Sequence, residues 1–147
     1  MGHVESNLQN GEEIKYKAKL HILMFARPLV FLLVGWLLYG VENGVIHFIG
    51  IVLLLAGVLS LIRRTLTKIG AKYVVTNKRV ILKEGVISRK AVDLLLTKCE
   101  GLHIKQSIIG RLFNFGTITV TTGGATSSYR YIVDPLAFRS EINTQIG

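Results

Sequence analysis

One cysteine and four histidines carry the most reactive side chains of this 147-residue sequence, and their spacing decides whether they can act together. Cys99 and His103 are the nearest pairing of nucleophile and base. Equal parity puts both on one face of a regular strand, but four steps of about 3.3 Å leave them about 13 Å apart. A base activates a thiol only at roughly 3 Å. His3, His21, His47 and His103 lie in a tail, two apolar runs and a strand-like segment, a distribution that builds no shared metal site. His21 fits the level of lipid headgroups. Asp93 and Glu100 have opposite parity, so a continuous strand turns them to opposite sides and leaves no acid/base pair. Gly123-Gly124 lacks the lysine and following helix of a phosphate-binding loop and reads as a hairpin tip. With no CxxC and no partner for a disulfide, Cys99 fits a reducing compartment. These residues lead to the expectation of a protein that is not an enzyme, with no cofactor and no metal.

Charge offers more. Eighteen Lys and Arg against nine Asp and Glu give +9, and from Arg63 onward the chain carries fourteen basic and five acidic residues, so all of the net charge follows the apolar block. Arg63, Arg64, Lys68 and Lys72 lie just behind that block, where each cation near an anionic leaflet gains about 1 kcal/mol. Lys78, Arg79, Lys83, Arg89 and Lys90 follow in a strand-like region. The candidate lipid-binding set is Arg27, Arg63, Arg64, Lys68, Lys72, Lys78 and Arg79. A nucleic-acid partner is not expected, since no basic-aromatic RNA-binding motif is present.

Half of the residues are hydrophobic and mean hydropathy is +0.45, which calls for a segment facing lipid. Residues 20–41 and 45–62 are two apolar runs of roughly 33 and 27 Å as helices, against a hydrocarbon core of about 30 Å. Only "ENG" joins them, so they form an antiparallel hairpin, with Asn43-Gly44 expected to supply positive-φ turn residues. The first run is too long for a cleaved signal peptide and reads as an uncleaved anchor. Lys15, Lys17 and Lys19 precede the pair and Arg63, Arg64 and Lys68 follow it, which predicts both termini on the cytoplasmic side of the inner membrane. Trp36 and Tyr39 then sit toward the far interface. Arg27 snorkels back to the headgroups, and Pro28 kinks or restarts the helix.

From Lys72 the period changes to two, the signature of half-buried strands. "KYVVT" and "RVILK" flank a two-residue turn at Asn77-Lys78, where Asn suits positive φ. A second turn falls at Glu84-Gly85. Further strands are read in "VISRKAVDLLLT", "GLHIKQ", "TITVT" and "SSYRYIVD", about six or seven in all and antiparallel because the connections are short. "SIIGRLFNFG" interrupts the alternation as a helical turn or bulged connection. Its Ile108, Ile109, Leu112 and Phe113 are expected to pack in the core, the alternative being a tip facing membrane or partner. In "DPLAFRSEINTQI", Asp134 caps a C-terminal helix and Pro135 occupies its first turn.

In order, "YVVTNKRVILKEGVISRK", "DLLLTKCEGLHIKQSIIGRLFNFGTITV" and "DPLAFRSEI" resemble the bacterial pleckstrin-homology-like (bPH2) domain family of membrane proteins. The resemblance covers Lys72 to about Ile142, and "EEIKYKAKLHILMF" before two helices is similar to its single-domain members. It implies a pleckstrin-homology fold, a curved sheet of seven strands capped by a helix, and a role as a membrane-bound binding or assembly module.

The expected fold class is therefore α+β: a cytoplasmic N-terminal segment over 1–19, a transmembrane helical hairpin over 20–62, and a cytoplasmic domain over 63–147 with a curved antiparallel sheet of about seven strands capped by a C-terminal helix. The expected function is binding or assembly at the cytoplasmic face, with a homo-oligomer or a membrane protein as partner. The Thr and Ser residues from Thr117 to Ser128 mark an expected sheet-edge contact. The alternative is recognition of anionic membrane lipids by the basic set above.

Overall fold

A computed structural model describes residues 5–87, 89–98 and 101–147. Contacts divide the chain into two units: residues 22–70 with 85–87, and the remainder.

The smaller unit is a helical hairpin. A 3-10 turn over Ile22–Phe25 leads into α1 (Ala26–Tyr39), and α2 (Gly44–Gly70) returns antiparallel to it. Pro28 lies in the first turn of α1, where a missing N–H breaks no helical bond, so it restarts the helix and does not kink it. Asn43 does not provide the expected positive-φ turn. Its Oδ1 accepts from the N–H of Val45 at 3.1 Å and of Ile46 at 3.4 Å, capping α2. His47 reaches back to the Tyr39 carbonyl at 2.8 Å, with the two rings 4.3 Å apart.

Glycines set the approach of the two helices. A Cβ on Gly50 would stand 2.6 Å from the Tyr39 nitrogen and 2.9 Å from the Gly35 carbonyl oxygen, and one on Gly57 would meet Leu32 at 2.9 Å. Close backbone approach through small residues is how helices associate when lipid removes the hydrophobic drive between them. Gly50→Leu is expected to cost about 1–3 kcal/mol by overpacking. Thermal melts in nanodiscs should show the loss, and Gly44→Leu, at a site with no atom within 4 Å of a new Cβ, should not.

The larger unit holds two antiparallel sheets. One has the order β1 (Ile14–Ala18), β2 (Lys72–Thr76), β3 (Arg79–Glu84), β4 (Lys90–Leu95); the other has β5 (Gly101–Lys105), β6 (Phe115–Thr122), β7 (Ala125–Val133). Between β5 and β6 lies the single-turn helix α3 (Ile108–Phe113), and α4 (Pro135–Ile146) ends the chain. Alternation in β6 buries Gly116, Ile118 and Val120 and turns Thr117, Thr119 and Thr121 outward. The core joins both sheets to α4 through Tyr73, Val75, Leu82, Ile118, Tyr129 and Phe138. Among the described residues seven strands and the C-terminal helix are present, six of the strands within 63–147 and the seventh, β1, ahead of the helical hairpin, with Asp134 Oδ1 accepting from the Ala137 N–H at 3.1 Å.

Three local readings change. Ile14–Ala18, assigned from sequence to a separate N-terminal segment, pairs with β2, so the sheet is assembled from both sides of the hairpin. Helix α2 runs on to Gly70, which places Arg63, Arg64 and Lys68 on its last two turns. Asn77-Lys78 does form a two-residue turn, but neither residue has positive φ, whereas Gly85 in the second expected turn and Gly123-Gly124 in the β6–β7 turn do. Asn77 pins the N-terminal segment: its Oδ1 accepts from the Glu13 N–H and its Nδ2 donates to the Gly11 carbonyl, both at 3.0 Å.

Candidate functional site

The basic residues separate by what they touch. Arg79 begins β3 and is committed inside the domain. Its Nε donates to Glu12 Oε1 at 2.8 Å and Nη2 to Glu12 Oε2 at 3.1 Å, while Nη1 reaches Asp93 at 3.3 Å and Nη2 the Asn7 carbonyl at 3.0 Å. The Glu12 side chain is 0% exposed and that of Arg79 15%. Burial opposes ionisation of Glu12, but the bonds from Arg79, the Gln9 N–H and Thr76 outweigh it and hold the carboxyl at about 2. Lys78 donates to the Asn10 carbonyl at 2.7 Å. These two cations fasten the N-terminal segment over the β2–β3 turn.

Arg63 and Lys68 are exposed on α2, with Lys68 Nζ 5.6 Å from the Phe25 ring centre; Arg64 is half-buried on the same helix. Arg27 is exposed in the first turn of α1, and Lys72 is half-buried at the start of β2. The structure thus gathers Lys78 and Arg79 into a structural clasp and leaves Arg27, Arg63 and Lys68 with outward charge.

A second constellation lies on the outer face of the three-stranded sheet. An open cleft of about 440 Å³ is lined by Lys105, Thr117, Thr119, Ser128, Arg130 and Tyr131, among others. That volume suits a small ligand or headgroup. Thr119 and Ser128 are cross-strand partners whose hydroxyls meet at 3.0 Å. Three of the hydroxyls read from sequence as edge residues therefore line a cleft on the sheet's face. The Phe115 ring stacks between Tyr131 (5.7 Å) and His21 (4.9 Å), and the His21 N–H donates to the Tyr131 carbonyl at 2.7 Å. Tyr131 itself has φ of 60°, a conformation a bulky side chain rarely adopts.

Beside the cleft, α3 overturns the expectation that its apolar residues pack in the core. Ile108 is 89% exposed and Leu112 78%, with Ile109 and Phe113 also exposed. The turn is held rigidly from below. Ser107 Oγ accepts from the Gly110 N–H at 3.0 Å, Asn114 closes the helix at φ of 56°, and a Cβ on Gly110 would stand 2.5 Å from the Phe115 carbonyl oxygen. The alternation break in "SIIGRLFNFG" was the only sequence signal for this feature.

Cys99, Glu100 and His3 lie outside the described residues. Among the described residues, no three of His, Cys, Asp or Glu converge on a point that would hold a metal ion.

No curated protein and no solved structure matches this chain. The family model described as the bacterial PH domain matches residues 23–145, a span that takes in both apolar helices, both sheets from β2 onward and nearly all of α4. By that match and by its fold, the chain belongs to the bacterial PH domain family.

Proposed function

We propose that this protein is a membrane-anchored binding module whose two apolar helices hold the PH-like domain at the cytoplasmic face of the inner membrane, where it assembles with protein partners or with copies of itself. The observation that carries the anchor is the bare surface of the hairpin. Both helices are long and apolar enough to cross a membrane, and their outward residues, among them Leu33, Trp36, Phe48, Leu55 and Leu59, are exposed in the folded chain. An apolar surface of this extent and helix length supports a lipid environment around the hairpin. The flanking cations Arg63 and Lys68 set the orientation.

Support for assembly comes from the sheets. Among the described residues, β7 over Ala125–Arg130 has a strand partner only on its β6 side, an edge that an extended segment of another chain can extend. Native mass measurement of the full chain in nanodiscs tests this. A dimer or larger species, or a stoichiometric co-purifying protein, is expected; a strict monomer without one contradicts it.

A second reading, anionic-lipid recognition by the juxtamembrane cations, draws on the exposure of Arg27, Arg63 and Lys68. Neutralising all three is expected to lower enrichment of phosphatidylglycerol around the full chain in mixed nanodiscs, and unchanged enrichment would exclude these residues.

A further inference from the structure

The α3 tip and the cleft beside it form one continuous chemical surface. Ile108, Ile109, Leu112 and Phe113 project from a turn whose backbone Gly110, Ser107 and Asn114 fix, so the backbone is already ordered for contact with another phase. From Gly101 to Val133 the chain contains Lys105, Arg111 and Arg130 and no Asp or Glu. Arg111 shares the exposed turn, while Lys105 and Arg130 line the cleft with Thr117, Thr119 and Ser128. The acids that flank this stretch are Glu100, outside the described residues, and Asp134, whose Oδ1 caps α4 and whose N–H donates to the Asn114 carbonyl at 3.0 Å. Apolar side chains beside cations are the composition of segments that lie in a membrane interface.

Chain continuity points to the same occupant. His21 lies 6.5 Å from the Phe113 ring and stacks on Phe115, and the next residue, Ile22, begins the first apolar span. The tip therefore lies beside His21, one residue before the first apolar span in the chain.

We infer that α3 is a second membrane contact: Ile108, Ile109, Leu112 and Phe113 dip into the acyl boundary while Lys105 and Arg130 hold the phosphate of an anionic lipid headgroup in the adjoining cleft. The guanidinium and ammonium supply charge-assisted donors, and the hydroxyls of Thr117, Thr119 and Ser128 supply neutral ones. This site is distinct from the juxtamembrane cations on α1 and α2. It rests on the membrane-anchored reading, and it adds that the tether brings the domain's own apolar tip down onto the bilayer.

The test uses the full chain with Cys99→Ser, spin-labelled singly at Leu112→Cys, at Ala125→Cys on the opposite hairpin end, or at Leu33→Cys on α1. Nanodiscs are made from phosphatidylcholine alone or mixed with phosphatidylglycerol. At Leu112 the ratio of collisions with oxygen to collisions with a water-soluble nickel complex is expected to exceed that at Ala125 by roughly tenfold, as for a side chain buried in the acyl boundary. Phosphatidylglycerol should raise the seated fraction, and Lys105→Gln and Arg130→Gln should each lower the ratio of seated to aqueous tip about fivefold in the mixed discs. A Leu112 label as aqueous as Ala125 in both discs, with Leu33 buried in lipid, overturns the tip and leaves the anchor standing. An aqueous Leu33 label overturns both. A Leu112 label shielded from both reagents and broadened by a neighbouring spin would show a second copy on the tip and overturn the lipid assignment.

Discussion

Arg79→Ala is expected to cost about 3 kcal/mol or more of folding stability, because it strands a carboxylate that the fold has taken out of water. Glu12 has no exposed side-chain surface, and Arg79 meets both of its oxygens. The same guanidinium holds the Asn7 carbonyl and Asp93, so one substitution releases the N-terminal segment from the β2–β3 turn. The pH dependence identifies the cause. In the native chain the Glu12 carboxyl is depressed from 4.5 to about 2, so its contribution is complete above about 4.5 and is lost as pH falls through about 2. Without Arg79, burial is left with fewer opposing bonds and the carboxyl shifts upward, which makes it destabilising at neutral pH. The gap between variant and native protein should therefore narrow as pH is lowered from 7 toward 2. Denaturant unfolding of the full chain across that range measures it. A pH-independent gap, or a variant of native stability with altered lipid preference, would return Arg79 to the list of lipid ligands.

Phe138→Ala is the second large effect, at about 3–5 kcal/mol for a fully buried aromatic in a core that can relax only in part. Phe138 lies on α4 in contact with the shared core of both sheets, and its ring meets Tyr16 of β1 edge-on at 6.0 Å and 75°. The consequence reaches across the chain, since Tyr16 precedes the hairpin and Phe138 follows every strand. Hydrogen exchange should show lost protection in both Ile14–Ala18 and Pro135–Ile146 while α1 and α2 keep theirs. Loss confined to α4 would mean that β1 is held by its pairing with β2 alone.

Most of the strands were legible because half-burial leaves a period of two in the sequence. "TITVT" became β6 with alternating exposure, and the turn that follows it carries two glycines at positive φ. The two apolar runs were equally plain, since Arg27 is the one formal charge in residues 20–41 and 45–62 together. β1 was missed although Ile14, Tyr16 and Ala18 alternate with Lys15 and Lys17. The same lysines satisfied the charge rule for a membrane flank, and one residue can obey both. The end of α2 was misjudged because hydropathy falls at Arg63 while helix propensity does not; Leu66 and Ile69 carry the helix to Gly70.

What the sequence determined by itself was everything encoded between near neighbours: the hairpin of apolar helices, the strand pairings with short turns, the Asp134 cap, and a family signature spread over most of the chain. What only the tertiary structure decided depends on residues far apart in the chain or on the space left in the core. Arg79 looked like a surface cation until Glu12, 67 residues earlier, was brought against it. Ile108 and Leu112 looked like core residues until Phe138 and Ile142 of α4, with the inward faces of both sheets, filled the interior and left α3 outside. Local periodicity states that a face is apolar; it does not state which face reaches the interior first, and that competition is settled by volume.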